Sequence, residues 1–303
     1  MSYSIPEKLQ SLWTIIRPVN DFVMGIGLNV GMILAGSYEL GLPFIFYIYA
    51  LGAGFFLSAH AMVVNDIIDI EIDLINEPNR VLPKGIISRK TAAIYSIFLG
   101  ILGVLFFALI DIAGFDKFPY LWLYGLAHLV IADLYNYKLK EMGFIGNLTV
   151  AWTGYALFFG ADIFLNGHLT LIPQVIGVIA FCADLSREIY KGIIDQEGDR
   201  EHNVKTIAVV LGPRKAKYIA SAIFSVCILV SVYAFPQLLL LGKIGLLITN
   251  LLFVYILWLA KDAEDPQQTR KIKTYIMMGP LLVSPFLILD RILQISFTGI
   301  ISN

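Results

Sequence analysis

The chain has 303 residues, 58% of them hydrophobic and 15% charged, with a mean hydropathy of +0.76. A water-soluble protein of this length cannot hide that much apolar surface, so the bilayer is the expected solvent, at about 20 apolar residues per spanning helix. The formal net charge of −1 supplies no field that would recruit nucleic acid, and the two cysteines, Cys182 and Cys227, sit in apolar runs as small core residues that report no redox compartment.

The opening residues carry mixed charges, and no cleavable signal peptide is expected. Ile5, Leu9, Leu12, Trp13 and Ile16 share one helical face, which predicts an amphipathic segment over 1–18 lying in the membrane interface. Nine apolar stretches follow, at roughly 19–37, 43–65, 91–111, 118–136, 143–163, 169–191, 216–236, 240–260 and 274–297. Gly27, Gly31, Gly52 and Gly54 suit close helix packing. Gly41-Leu42-Pro43, Gly167-His168 and Gly242 mark short turns. No Gly-rich loop stands between a strand and a helix, so a nucleotide-loop fold is unsupported.

The connections alternate between short charge-poor loops and longer basic ones. Of the 22 Lys and Arg residues, 19 fall in the segments on one side of the predicted layout. The positive-inside rule places that side, with the N-terminus, in the cytoplasm, and nine spans put the C-terminus outside.

Two acidic runs lie on the basic side. The first, "NDIIDIEIDLINEPNR" from Asn65 to Arg80, follows an almost wholly apolar stretch. Its Asn65, Asp66, Asp69 and Asp73 line one helical face, whereas Glu71 and Glu77 fall off it and read as solvated charges. The second, "REIYKGIIDQEGDREHN" from Arg187 to Asn203, places Glu188, Lys191, Asp195 and Asp199 on one stripe. The pairs Asp69/Asp73 and Asp195/Asp199 share a spacing, and each ends an even-numbered span, the second and the sixth. That correspondence outlines an internal repeat, about 19–136 and 143–260, within a single domain over 1–303.

A charged run at a helix end is ordinarily a solvated loop. Stacked carboxylates repel each other, however, by a few tenths of a kcal/mol per exposed pair. Two such stacks at matching places call for a counter-ion. The donors are carboxylate and amide oxygens, while His60, His128, His168 and His202 are scattered, so the expected ion is Mg2+, with Mn2+ as the alternative, and not zinc or copper. Mg2+ is commonly shared between carboxylates and substrate phosphates. Arg80, Lys84, Lys140, Lys191, Lys205, Arg187 and Arg214 lie on the same side, where they mark topology or contact phosphate oxygens; Lys140 and Lys191 stand closest to the motifs.

These residues resemble the UbiA superfamily of intramembrane prenyltransferases. "NDIIDIEID" is similar to its NDxxDxxxD motif, "DQEGD" to its DxxxD motif, and "NEPNRVLPKGIIS" and "LYNYKLKEMGFIGN" to the segments after the first motif and between the fourth and fifth spans. The resemblance implies an all-α membrane protein with nine transmembrane helices, two four-helix halves plus a ninth around a central cavity. It implies a prenyl diphosphate and a lipid-soluble acceptor as partners. Asn65, Asp66, Asp69 and Asp73 would form one metal–diphosphate site, Asp195 and Asp199 the other, with Tyr135 and Lys140 in the places of the family's tyrosine and lysine. Glu141 departs from the pattern, because relatives often carry a second basic residue there. "IRPVND" and "REI…DQEGDREHNVKT" are most similar to archaeal members that transfer geranylgeranyl to geranylgeranylglyceryl phosphate in ether-lipid synthesis. An aromatic acceptor, as in quinone synthesis, is the alternative within the family.

Two other classes compete. A cation-coupled transporter would carry its acids near mid-membrane on broken helices, whereas these lie at helix ends without a proline interruption. A phosphotransferase acting on CDP-linked lipids would need a DGxxAR segment, which the chain lacks.

Overall fold

The structure, a computed structural model, describes residues 3–114, 120–201 and 204–301. Among them there is no strand. The helices in chain order are α1 (Ile5–Ile15), α2 (Pro18–Leu34), α3 (Phe44–Ile68), α4 (Ile70–Asn76), α5 (Arg89–Ile112), α6 (Leu121–Tyr137), α7 (Phe144–Asn166), α8 (Leu171–Ile194), α9 (Gln196–Glu201), α10 (Ile207–Leu211), α11 (Pro213–Ala234), α12 (Leu240–Leu259) and α13 (Pro266–Ile301).

Six of these, α3, α5, α7, α11, α12 and α13, are long and apolar enough to cross a membrane. The chain is therefore built as a multi-pass membrane protein. Helix α2 is apolar but has only 17 residues. Helix α6 also has 17, and the start of the span expected at 118 lies outside the described residues. Helix α8 has the length, at 24 residues, but carries Asp184, Arg187, Glu188 and Lys191 in its second half.

The apolar residues divide between lipid and core. Ile94, Ile97, Ile101 and Leu105 make an exposed stripe along α5, and Leu247, Leu251, Val254 and Trp258 do the same on α12. In a bilayer such stripes need no protein partner. Inward, α2 packs on α3, α3 on α5, α7 on α8, α8 on α11 and α12 on α13, while contacts of α2 with both α7 and α13 close the ring.

Helix α1 starts with the Ser4 N–H and hydroxyl both donating to Glu7 at 2.7 Å, and Pro6 in its first turn. Ile5, Leu9 and Trp13 stay exposed on one side, while Ile15 and Ile16 bury against Ala59 and Val63 of α3.

The glycines set the helix separations. A Cβ on Gly54 would stand 2.8 Å from the Gly25 Cα and 2.9 Å from the Met24 carbonyl oxygen. On Gly31 it would meet the Leu157 carbonyl oxygen at 2.8 Å, and on Gly52 the Phe106 ring at 2.8 Å. Backbone atoms cannot step aside as a side chain can. Gly54→Ala should therefore push α2 from α3 and destabilise the fold by about 1–3 kcal/mol, read as a lower thermal midpoint in detergent.

Candidate active site

Each acidic run sits at a break in its helix. Helix α3 ends at Ile68, Asp69 adopts φ −84°, ψ 8°, and α4 resumes at Ile70. Helix α8 ends at Ile194, Asp195 adopts φ −88°, ψ 6°, and α9 resumes at Gln196. The hydrogen bonds across the breaks also correspond. Asp69 N donates to Asn65 O and Asp73 N to Asp69 O; Asp195 N donates to Lys191 O and Asp199 N to Asp195 O. The short helices after the breaks, α4 and α9, touch each other. The two Asp pairs therefore face one pocket from opposite sides.

That pocket is lined by Asn65, Asp69, Asp73 and Arg80 from the first run, Tyr135 and Lys140 from the α6–α7 region, and Glu188, Lys191, Asp195 and Asp199 from the second. Its volume is about 50 Å³, with basic side chains folded onto the first motif. Lys140 binds Asp69, and Arg80 Nη1 donates to both oxygens of Asp73 at 2.7 and 2.6 Å. Asp66 is buried beside the pocket, bound by Arg17 and 3.5 Å from Arg80 Nη1. Arg17, between α1 and α2, has φ 55°, the left-handed backbone that side chains disfavour. The strained turn directs its guanidinium to the acid.

The second motif is different. Asp195 and Asp199 form no ion pair among the described residues, although Asp199 is only 7% exposed. Burial, and then the Asp195 charge, push the Asp199 carboxyl up to about 6. Burial also raises Asp73, against the opposing pull of Arg80. No ready-made cage of three or more His, Cys, Asp or Glu exists among the described residues. The donor set is two carboxylate groups facing one gap, one ion-paired and one not. It suits a hard cation completed by ligand oxygens rather than by protein alone. His60, His128 and His168 are engaged elsewhere, with Ser96 and Asp133, Tyr124 and Asn166 respectively; His202 and Asn203 lie outside the described residues.

Lys84 and Lys205, expected at the diphosphate, are exposed and do not line the pocket. Val204 and Thr206 on either side line the pocket, while Lys205 between them is exposed. Glu77 corrects the reading in the other direction: it lines the pocket, 3.8 Å from Arg270, whereas Glu71 is exposed as expected. Glu77 stands four residues after Asp73, and the bonds Asp73 N to Asp69 O and Glu77 N to Asp73 O carry the helical stripe on to it.

Arg17 and Asn136 escaped notice in the sequence. Asn136 is 5% exposed on α6; its Nδ2 donates to Ala61 O at 3.3 Å and its Oδ1 accepts from Asn65 Nδ2 at 3.2 Å. The Asn65 amide donates in turn to Asp69 Oδ2 at 2.8 Å. A buried polar residue in an apolar helix was the available signal. Asn136→Leu should lower stability by about 1–3 kcal/mol, measured by thermal unfolding, because it removes both buried bonds of Asn136 and takes an acceptor from Asn65 Nδ2.

A digeranylgeranylglyceryl phosphate synthase from Thermococcus gammatolerans is 32% identical over 268 residues, covering 87% of this chain and 92% of that protein. The structure of a UbiA homologue from Aeropyrum pernix K1 matches the fold with a TM-score of 0.75 at 18% identity, covering 91% of this chain and 98% of that one. A UbiA homologue from Archaeoglobus fulgidus, solved bound to DMAPP and Mg2+, matches with a TM-score of 0.64 at 17% identity, covering 90% and 99%. The model of the UbiA prenyltransferase family matches residues 25–279, and the chain belongs to that family.

Proposed function

We propose that this protein transfers a geranylgeranyl group from its diphosphate to the free hydroxyl of geranylgeranylglyceryl phosphate, with a divalent cation, Mg2+ or Mn2+, at the two Asp pairs. The observation that carries this reading is the pair of matching helix breaks whose acids face one pocket together with Lys140, Arg80 and Lys191. The relatives named digeranylgeranylglyceryl phosphate synthase support the choice of acceptor.

The residues take distinct roles in this account. Asp66, Asp69, Asp73, Asp195 and Asp199 would hold the cation. When bound, it would neutralise charge on the diphosphate and polarise the leaving group. Lys140, Arg80 and Lys191 stabilise the negative charge that develops as the allylic carbon–oxygen bond breaks. Asn65, fixed by Asn136, orients Asp69. Tyr135 presents its ring at the pocket wall, where an aromatic face steadies positive charge on the allylic carbon. The surrounding apolar helices keep water from that carbon. Lys84 and Lys205 remain on the basic rim as attraction for the incoming polyphosphate.

The same reading sets the frame. All nine apolar stretches cross the membrane, α2, α6 and α8 included, as two four-helix halves and a ninth helix around a central cavity. The halves, about 19–136 and 143–260, form one domain, and the corresponding bonds around Asp69 and Asp195 support their equivalence. The pocket and the N-terminus face the cytoplasm, supported by the basic segments at that end.

Asp69→Asn and Asp195→Asn should each reduce transfer by more than about 100-fold while leaving a folded protein, and chelation should do the same to the parent. The assay is incorporation of labelled geranylgeranyl diphosphate into lipid by purified protein. Undiminished turnover in either variant contradicts the site assignment. A prenylated benzoate or naphthoate in place of an ether lipid contradicts the acceptor.

A further inference from the structure

Asp290 and Arg291 interrupt the apolar second half of α13, and transfer at the Asp pairs gives them no role. They stand at the other end of the molecule. Helix α8 starts at that end with Leu171 and runs to the break at Asp195, and its 24 residues span about 36 Å. Arg291 lines a cavity of about 560 Å³ there, against about 50 Å³ at the Asp pairs. Four separate segments wall it: the turn after α2, the turn between α7 and α8, the turn between α11 and α12, and the second half of α13.

The charges on this wall are matched within it. Arg291 Nη2 is 2.5 Å from Glu39 Oε1, and Arg291 Nη1 donates to Gln294 Oε1 at 2.9 Å. Asp290, 1% exposed, accepts from Leu239 N at 2.8 Å and from Gly242 N at 2.7 Å, which caps the start of α12. A charged guest of either sign would compete with one member of the Arg291–Glu39 pair. One donor is left over: Arg291 Nε is buried and makes no hydrogen bond among the described residues. A buried N–H without an acceptor is costly, and a neutral oxygen in the cavity would satisfy it without disturbing either charge. The rest of the wall is mixed. Thr170 and Gln237 bring hydroxyl and amide groups, while Leu34 and Leu287 bring apolar surface, and Leu40 and Leu171 are about half exposed at its rim.

We propose that this cavity binds the uncharged, hydroxyl-rich head of a membrane lipid, with one head oxygen accepting from Arg291 Nε. Neutrality follows from the paired charges. Hydroxyl chemistry follows from a wall that presents both donors and acceptors, and a lipid follows from the apolar surface and the leucine rim. The volume lies within the range of about 300–1,000 Å³ usual for small-ligand sites. Because four segments meet there, the bound head braces them against one another, and occupancy stabilises the folded protein. The site is independent of prenyl transfer.

The test is the thermal midpoint of the purified protein in amine-oxide micelles, whose heads carry no hydroxyl. The micelles are doped with a galactosyl diacylglycerol, with a phosphatidic acid or with a cationic ammonium lipid of the same chains. The galactosyl lipid should raise the midpoint of the parent by at least about 3 °C, and free galactose should not. Leu171→Trp and Gln237→Trp fill the cavity from two sides, and each should abolish that shift. Arg291→Lys keeps a charge for Glu39 but has no Nε–H, and it should weaken the galactosyl lipid at least about tenfold. Ile94→Trp, on the lipid-facing stripe of α5, should leave the shift intact. Any shift caused by the charged lipids should be the same in the parent and in both cavity-filling variants. No shift with the galactosyl lipid, or a shift that survives in whichever of Leu171→Trp and Gln237→Trp folds, overturns the inference. So does a charged-lipid shift that is lost when the cavity is filled, or a full shift from free galactose.

Discussion

Like charge confined at low dielectric governs this molecule. Asp66, Asp69 and Asp73 are each 3–4% exposed, and Asp199 is 7% exposed. Carboxylates that close together, and that far from water, persist only against positive charge. Arg17, Arg80 and Lys140 supply it to the first motif. Asp195 and Asp199 form no ion pair among the described residues, and Lys191, one turn before Asp195, contacts Glu188. The two halves of the site are therefore unequally neutralised. The imbalance points to charge that arrives with the substrate complex.

The fold places this charge at a boundary. Apolar helices run up to the acids, break at Asp69 and Asp195, and resume as short turns that meet each other. Both carboxylates of each pair line the same pocket, and the contact of α4 with α9 holds the two pairs across it. Glycine contacts such as Gly25 with Gly54 bring α2 against α3, and Arg17 at the start of α2 consequently reaches Asp66. Lipid-facing stripes on α5 and α12 need only be apolar. Close packing is concentrated where helices must hold the acids in register.

Much of this was legible in the sequence because spacing and length carry it. Apolar runs of about 20 residues outlined the helices to within about four residues, except that α13 begins at Pro266, eight residues before the expected 274, and the repeated interval of Asp69/Asp73 and Asp195/Asp199 marked the pairs. Glu77, four residues after Asp73, follows Asp69 and Asp73 into the pocket. What spacing could not give was direction. Lys205 stands close to the second motif in sequence, yet it is exposed while its neighbours Val204 and Thr206 line the pocket. Arg17 and Asn136 act across 49 and 71 residues of chain, on Asp66 and Asn65 respectively, and no local pattern encodes a contact of that range.

The central claim is that a divalent cation joins the two Asp pairs to a diphosphate. It is tested most directly by electron paramagnetic resonance of Mn2+ titrated into the purified protein, with and without geranylgeranyl diphosphate. The account predicts weak Mn2+ binding to the protein alone, much tighter binding with the diphosphate present, and phosphorus coupling to the bound ion. Mn2+ binding unchanged by the diphosphate, with no phosphorus coupling, would contradict it.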